Sequence, residues 1–227
     1  MKKTGSLLLL MASFFLLVSC TADNKNTSTE TADAGIKITQ KSTKVTAKKN
    51  KKSEKKVKKS LLSLSNRANE MAEYAEKKGY STDYCFLIDM SIPSGKNRFF
   101  VYDLDKGGVA YSGLVAHGSC EERFLSRARF SNVANSGCSS MGRYKVGVFY
   151  NGKYGESFKL HGLDNSNSNA FSRGVVIHGY DCVPDEEIFP RVLCNSLGCP
   201  MVSYNFFDRL SRIIQRSEKP ILLWIYR

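Results

Sequence analysis

The chain has 227 residues, is 42% hydrophobic and carries a formal net charge of +13, enough length for one sizeable globular core with appendages. The charge is lopsided. Residues 1–59 hold 14 Lys+Arg against 4 Asp+Glu, whereas residues 60–227 hold 20 against 17, so the excess belongs to an amino-terminal tail and not to a basic folded surface.

In chain order, Lys2 and Lys3 precede an apolar stretch, Leu7 to Val18, too short for a spanning helix and suited to a signal peptide. It ends in Leu17-Val18-Ser19-Cys20, which resembles a bacterial lipobox. That likeness implies removal of residues 1–19 and a diacylglycerol on the Cys20 thiol, which anchors the mature chain without spanning. The expected location is therefore extracytoplasmic and membrane-anchored, on the periplasmic face, which makes nucleic acid an improbable partner. Residues 20–59 read as an extended tether: Thr21 to Ala34 has almost nothing to bury, and Lys37 to Lys59 holds eleven lysines against Glu54 alone. Its lysines suit a spacer or contact with anionic headgroups and cell-wall carboxylates. Residues 60–227 form the expected folded domain.

Leu61, Leu64, Ala68, Met71, Ala72 and Ala75 recur at helical spacing, with Ser60 or Ser63 to cap the start and Gly79 the end. From Tyr84 the pattern turns to strands: Cys85–Ile88, Arg98–Leu104, Val109–Ala116, Tyr144–Tyr150, Ser157–Leu160 and Gly174–His178, with Asn151-Gly152 as a turn. Asn165 to Ser172 is polar and turn-rich, a mobile rim or a surface loop. A helix with a stripe of Tyr204, Phe206, Phe207, Leu210, Ile213 and Ile214 precedes a last strand, Ile221–Tyr226. The pattern is mainly β, with a short amino-terminal and a carboxy-terminal helix.

Two stretches concentrate the chemistry. Val175-Val176-Ile177 is a β-branched run that delivers His178 at its end, followed by Gly179. Ser196-Leu197-Gly198-Cys199-Pro200 reads as a tight turn presenting a thiol where glycine permits close approach. A thiol becomes a nucleophile beside a base, and imidazole is the usual partner. The residues alone leave two other readings open: Cys199 as half of a structural disulfide, or zinc held by His178 with Cys182, Cys194 and Cys199, although no C-x2-C knuckle supports the metal.

These segments resemble the signature of the L,D-transpeptidases, a His-Gly followed by Ser/Thr-His-Gly-Cys, and are closest to the murein L,D-transpeptidase branch with S-x-G-C-P. The likeness extends through Arg98–Leu104, Val115-Ala-His-Gly118, Phe130-Ser-Asn132, Ser139-Ser-Met-Gly142 and Leu160-His-Gly-Leu163. Leu197 departs from the usual histidine, and Pro200-Met201 stand where an arginine often follows. The resemblance implies a β-sandwich of mixed sheet and a cysteine acyltransferase without metal or organic cofactor. Cys199 is its nucleophile and His178 its base. The N–H groups of Leu197, Gly198 and Cys199 stabilise the oxyanion, and His178 is oriented by a backbone carbonyl near Ser196 or by the Ser196 hydroxyl. The implied substrates are peptidoglycan stem peptides, joined by 3–3 cross-links in cell wall biogenesis. Water in place of an acceptor amine gives an L,D-carboxypeptidase or endopeptidase, and a non-catalytic peptidoglycan-binding lipoprotein is the third alternative. Gly179, His117 and His161 are candidate cleft residues, with a structural role for His117 equally suited.

Exported chains keep disulfides. Setting aside Cys20 and Cys199 leaves Cys85, Cys120, Cys138, Cys182 and Cys194. Cys182–Cys194 would staple the loop between the two motifs and Cys120–Cys138 the loop after His117, while Cys85 in its apolar strand reads as a buried free thiol.

Overall fold

A computed structural model describes residues 61–227. The expected signal peptide, Cys20 and the expected Lys-rich tether lie outside the described residues.

Helix α1 (61–78) buries Leu64, Ala68, Met71 and Ala75, one face at spacings of three and four, while Leu61 stays exposed. It ends at Gly79, whose φ of +74° lets the Tyr80 N–H turn back to the Ala75 carbonyl at 3.0 Å.

The strands are β1 (Tyr84–Asp89), β2 (Phe99–Asp103), β3 (Gly108–Gly113), β4 (Gly142–Gly152), β5 (Gly155–Gly162), β6 (Val176–Gly179), β7 (Met201–Val202) and β8 (Leu222–Tyr226), with α2 (Tyr204–Arg216) between the last two. They form one eight-stranded ladder in the order β3-β2-β1-β8-β4-β5-β6-β7. The β1–β8 and β6–β7 pairs are parallel and the others antiparallel. The fold is mainly β on a mixed sheet, with one helix at each end.

Both faces of the central strands are covered, which explains their uninterrupted apolar runs. On β1, Cys85 and Leu87 face α1 together with Tyr102, Leu222 and Tyr226. Phe86 and Ile88 face the second core, where Phe99 of β2 and Phe158 and Ile177 from the far end of the ladder meet α2. Phe206 packs edge-on against Phe99 at 5.2 Å, and Phe207 lies 5.9 Å from Phe158. The sheet therefore curls around α2, and strands distant in the ladder share one apolar interior. Ser203 caps α2 by accepting the Phe206 N–H at 3.2 Å.

Three local expectations change. The Asn151-Gly152 turn falls two residues later: Gly152 pairs with Gly155, so Lys153-Tyr154 is the hairpin loop and Gly155 takes the left-handed φ of +73°. The strand expected to reach Ala116 ends at Gly113, and Leu114–Ala116 continue as buried irregular chain. The segment Asn165–Ser172 is tied down instead of forming a loose rim. Asn167 is fully buried and donates to the Arg143 carbonyl at 2.7 Å, and Asn169 donates two hydrogen bonds to Asn132, from its backbone N–H and its side-chain amide.

Candidate active site

Strand β6 is buried at all four positions between β5 and β7. Its parallel pairing with β7 sets His178 opposite Met201 and Gly179 opposite Val202. Two residues back along both strands, Cys199 comes beside Val176, and the Val176 N–H reaches its Sγ at 3.5 Å. The thiol and the imidazole thus belong to neighbouring strand ends, two residues apart in register. The Gly174 carbonyl lies 4.0 Å from the same sulfur.

Among the described residues Cys199 is unpaired: Cys182 is bonded to Cys194 and Cys120 to Cys138. The first of these bonds removes the disulfide reading of Cys199 and two of the three thiols that the zinc reading required. Cys85 is the other free thiol among the described residues and is buried.

The turn before Cys199 is built around Gly198. Its φ is +115°, and a Cβ there would stand 2.7 Å from the Cys138 carbonyl oxygen, so glycine answers both the conformation and the crowding. The Gly198 N–H donates to Ser196 Oγ at 3.0 Å. This corrects two expectations: that N–H is engaged inside the turn, and the Ser196 hydroxyl holds the turn instead of orienting His178. The Ser196 backbone is fixed as well, donating to the His117 carbonyl at 2.9 Å and accepting from Ser119 at 2.8 Å. The Leu197 side chain, in the place of the family's histidine, is 73% exposed and leaves the site.

His178 is buried and oriented by its own neighbour: Nδ1 lies 3.0 Å from the Gly179 carbonyl oxygen. A carbonyl only accepts, so Nδ1 carries the proton and Nε2 presents the lone pair. Tyr154 stacks on the imidazole at 4.9 Å, and Tyr180 meets it edge-on at 6.0 Å. Burial lowers the His178 pKa below the ordinary imidazole value, with the Gly179 bond opposing it. Burial raises the Cys199 pKa, opposed by the Val176 N–H and the Arg173 charge. Both effects favour a resting pair of neutral thiol and neutral imidazole over an ion pair. Gly179 is required by packing, since a Cβ there would lie 2.5 Å from the Tyr204 ring.

The other histidines part company. His117 is fully buried; its Nε2 donates to the Leu125 carbonyl at 3.1 Å and its Nδ1 accepts from Arg98 Nη2 at 2.9 Å. Burial, and then the Arg98 charge, push its pKa down to about 4. With both nitrogens spent on the protein, His117 is a structural histidine and not a cleft residue. His161 is half-buried on β5, stacked on Phe171 at 4.5 Å, across the ladder from Lys145.

Two contributors escaped the sequence reading. Arg173 donates from Nη1 to the Ser131 carbonyl at 2.9 Å and from Nη2 to the Cys138 carbonyl at 2.6 Å, and Nη2 would be 3.3 Å from a Cβ on Gly198. A cation therefore backs the cysteine turn, although none follows Cys199 in the chain. Ser139 Oγ donates to the Gly198 carbonyl at 3.3 Å and accepts the Gly118 N–H at 3.0 Å. An arginine beside a glycine at a strand entrance was the one available signal for the former.

No curated protein matches this chain. Among solved structures it is similar to a variant of the helical cell shape determining protein Pgp2 from Campylobacter jejuni, at 16% identity and a TM-score of 0.44 over 65% of this chain and 48% of that one. It is also similar to the L,D-transpeptidase from Xylanimonas cellulosilytica, at 16% identity and a TM-score of 0.37 over 68% of each chain. A third is an L,D-transpeptidase from Mycobacterium smegmatis, at 11% identity and a TM-score of 0.38 over 64% of this chain and 59% of that one. The chain spans about half the length of the Campylobacter protein. The family model described as L,D-transpeptidase catalytic domain matches residues 48–226, which includes every element from α1 to β8. The chain belongs to the L,D-transpeptidase catalytic domain family.

Proposed function

We propose that this protein is a peptidoglycan L,D-transpeptidase that forms 3–3 cross-links between stem peptides through a thioester on Cys199, with His178 as the base. The observation that carries the reading is the β6–β7 register, which brings an unpaired thiol beside a strand whose end holds an imidazole with Nδ1 engaged and Nε2 free.

His178 Nε2 takes the thiol proton as sulfur attacks the carbonyl between the third and fourth residues of a tetrapeptide stem. The oxyanion needs preorganised donors. With the Gly198 N–H engaged by Ser196, the N–H groups of Leu197 and Cys199 supply them, having no acceptor among the described residues. Collapse breaks the C–N bond, His178 returns its proton to the leaving amine of D-alanine, and the thioester remains. An amine of a neighbouring stem then attacks, passes its proton to His178 and regenerates the thiol. Depressed basicity keeps His178 neutral, as a base must be, and the Arg173 charge favours the anion that forms on sulfur.

The Leu17–Cys20 motif supports the companion proposal that lipid on Cys20 holds this domain at the extracytoplasmic face of a membrane. Incubation with disaccharide-tetrapeptide tests the activity. A 3–3 linked dimer and free D-alanine, both absent with Cys199→Ser, are expected, whereas product formation by that variant contradicts the assignment.

A further inference from the structure

We propose that Lys145, Lys159 and His161 form a subsite beside the thiol that binds a carboxylate of the peptide donor, an inference that rests on the function proposed above. The β4–β5 register sets Lys145 opposite His161, and strand alternation puts Lys159 on the same face two residues away. The β5–β6 register then sets Lys159 opposite Val176, whose N–H reaches the Cys199 sulfur. The basic groups therefore begin one strand away from the nucleophile.

These groups line a cavity of about 520 Å³ walled by Phe171. Phe171 is 51% exposed and stacks on His161, while the Lys159 ammonium lies 5.3 Å from its ring centre and 4.9 Å from that of Tyr150. The loop carrying Phe171 continues into Arg173 and Gly174 at the Cys199 turn, so one segment borders both the cavity and the thiol.

The charge is unbalanced. Lys219 adds a third ammonium to the lining and Glu218 is the one carboxylate. Lys145 and Lys159 are half-buried, yet neither forms an ion pair among the described residues. A ligand carboxylate supplies these ammoniums with the anionic partner they lack, through charge-assisted hydrogen bonds. The aromatic wall suits the aliphatic part of the same peptide. Acidic stem peptides bring such carboxylates to within a few bonds of the scissile carbonyl.

Calorimetric titration of full-length protein carrying Cys199→Ser, which halts turnover, tests the subsite. The probes are disaccharide-tetrapeptide with free carboxylates and the same compound with its carboxylates converted to carboxamides. The free acid should bind about tenfold more tightly, on the scale of one charge-assisted hydrogen bond. Lys145→Gln/Lys159→Gln should abolish the difference by weakening the acid alone, with an unchanged melting temperature. Equal affinity for the two probes, equal weakening of both in the lysine variant, or no binding of either would overturn the subsite. If Cys199→Ser discriminates between the probes but wild-type protein incubated with the free-acid probe forms no adduct on Cys199, the proposed function is overturned and the carboxylate site stands.

Discussion

Arg173 and Gly198 meet on one carbonyl. Arg173 Nη2 donates to the Cys138 oxygen at 2.6 Å, and the same oxygen would stand 2.7 Å from any Cβ at Gly198. The cation, the segment fastened by Cys120–Cys138 and the Cys199 turn are thus one contact. Arg173→Gln removes the charge from this contact. The Cys199 thiol pKa should rise further, and its alkylation by iodoacetamide at pH 8 should slow. Arg173→Lys should restore most of the rate. An unchanged alkylation profile would make Arg173 a purely mechanical tie.

Gly198→Ala asks a side chain to occupy a left-handed φ against a backbone oxygen. A loss of about 1–3 kcal/mol in urea unfolding is expected, with a larger fractional loss of acylation because Cys199 follows immediately. Ser196→Ala deprives the Gly198 N–H of its acceptor and should slow acylation while leaving His178 oriented, since the Gly179 carbonyl sets that ring. A Ser196→Ala enzyme with wild-type acylation would return the hydroxyl to a minor role.

The pH dependence follows from the directions of the two shifts. In the proposed mechanism His178 acts as a neutral base, and its pKa lies below the ordinary imidazole value of about 6.5. Acylation should therefore rise with pH through a midpoint below that value and hold a plateau at neutrality. Cys199 lies above the ordinary cysteine range, so thiolate should be scarce in the resting protein. Iodoacetamide alkylation should increase steadily towards alkaline pH, without the acid plateau of a thiolate–imidazolium pair. Such a plateau between about pH 4 and 6 would show that the resting site is ionic.

Met71 is fully buried between α1 and the sheet, on the face away from α2. Met71→Ala should cost about 2–5 kcal/mol of stability and leave the kinetics on stem peptides unchanged at temperatures where the domain stays folded. A fall in kcat without loss of stability would tie α1 to the site.

What the sequence made legible was whatever depends on neighbours in the chain. The run Val175–Ile177 marks β6, the stripe from Tyr204 to Ile214 marks α2, and His178 and Cys199 stand out because a strand end and a glycine turn are local patterns. Both disulfide pairings agree with the reading from loop closure. The remainder is set by contacts between distant segments. Arg173 finds Cys138 35 residues away, and Arg98 finds His117 19 residues away, so neither the cation behind the Cys199 turn nor a structural histidine shows in composition or spacing. Strand β7 is two residues long and exists through its pairing with β6, too short for any periodicity. The Gly198 N–H looked free because a sequence does not show where a serine hydroxyl turns.

The most direct measurement is intact-protein mass spectrometry of the full-length protein incubated with disaccharide-tetrapeptide, followed by peptide mapping. An acyl adduct on Cys199 with release of D-alanine is predicted, together with a His178→Ala variant that accumulates it about 10²–10⁴-fold more slowly. An unmodified Cys199, or an adduct formed at the parent rate without His178, would contradict the account.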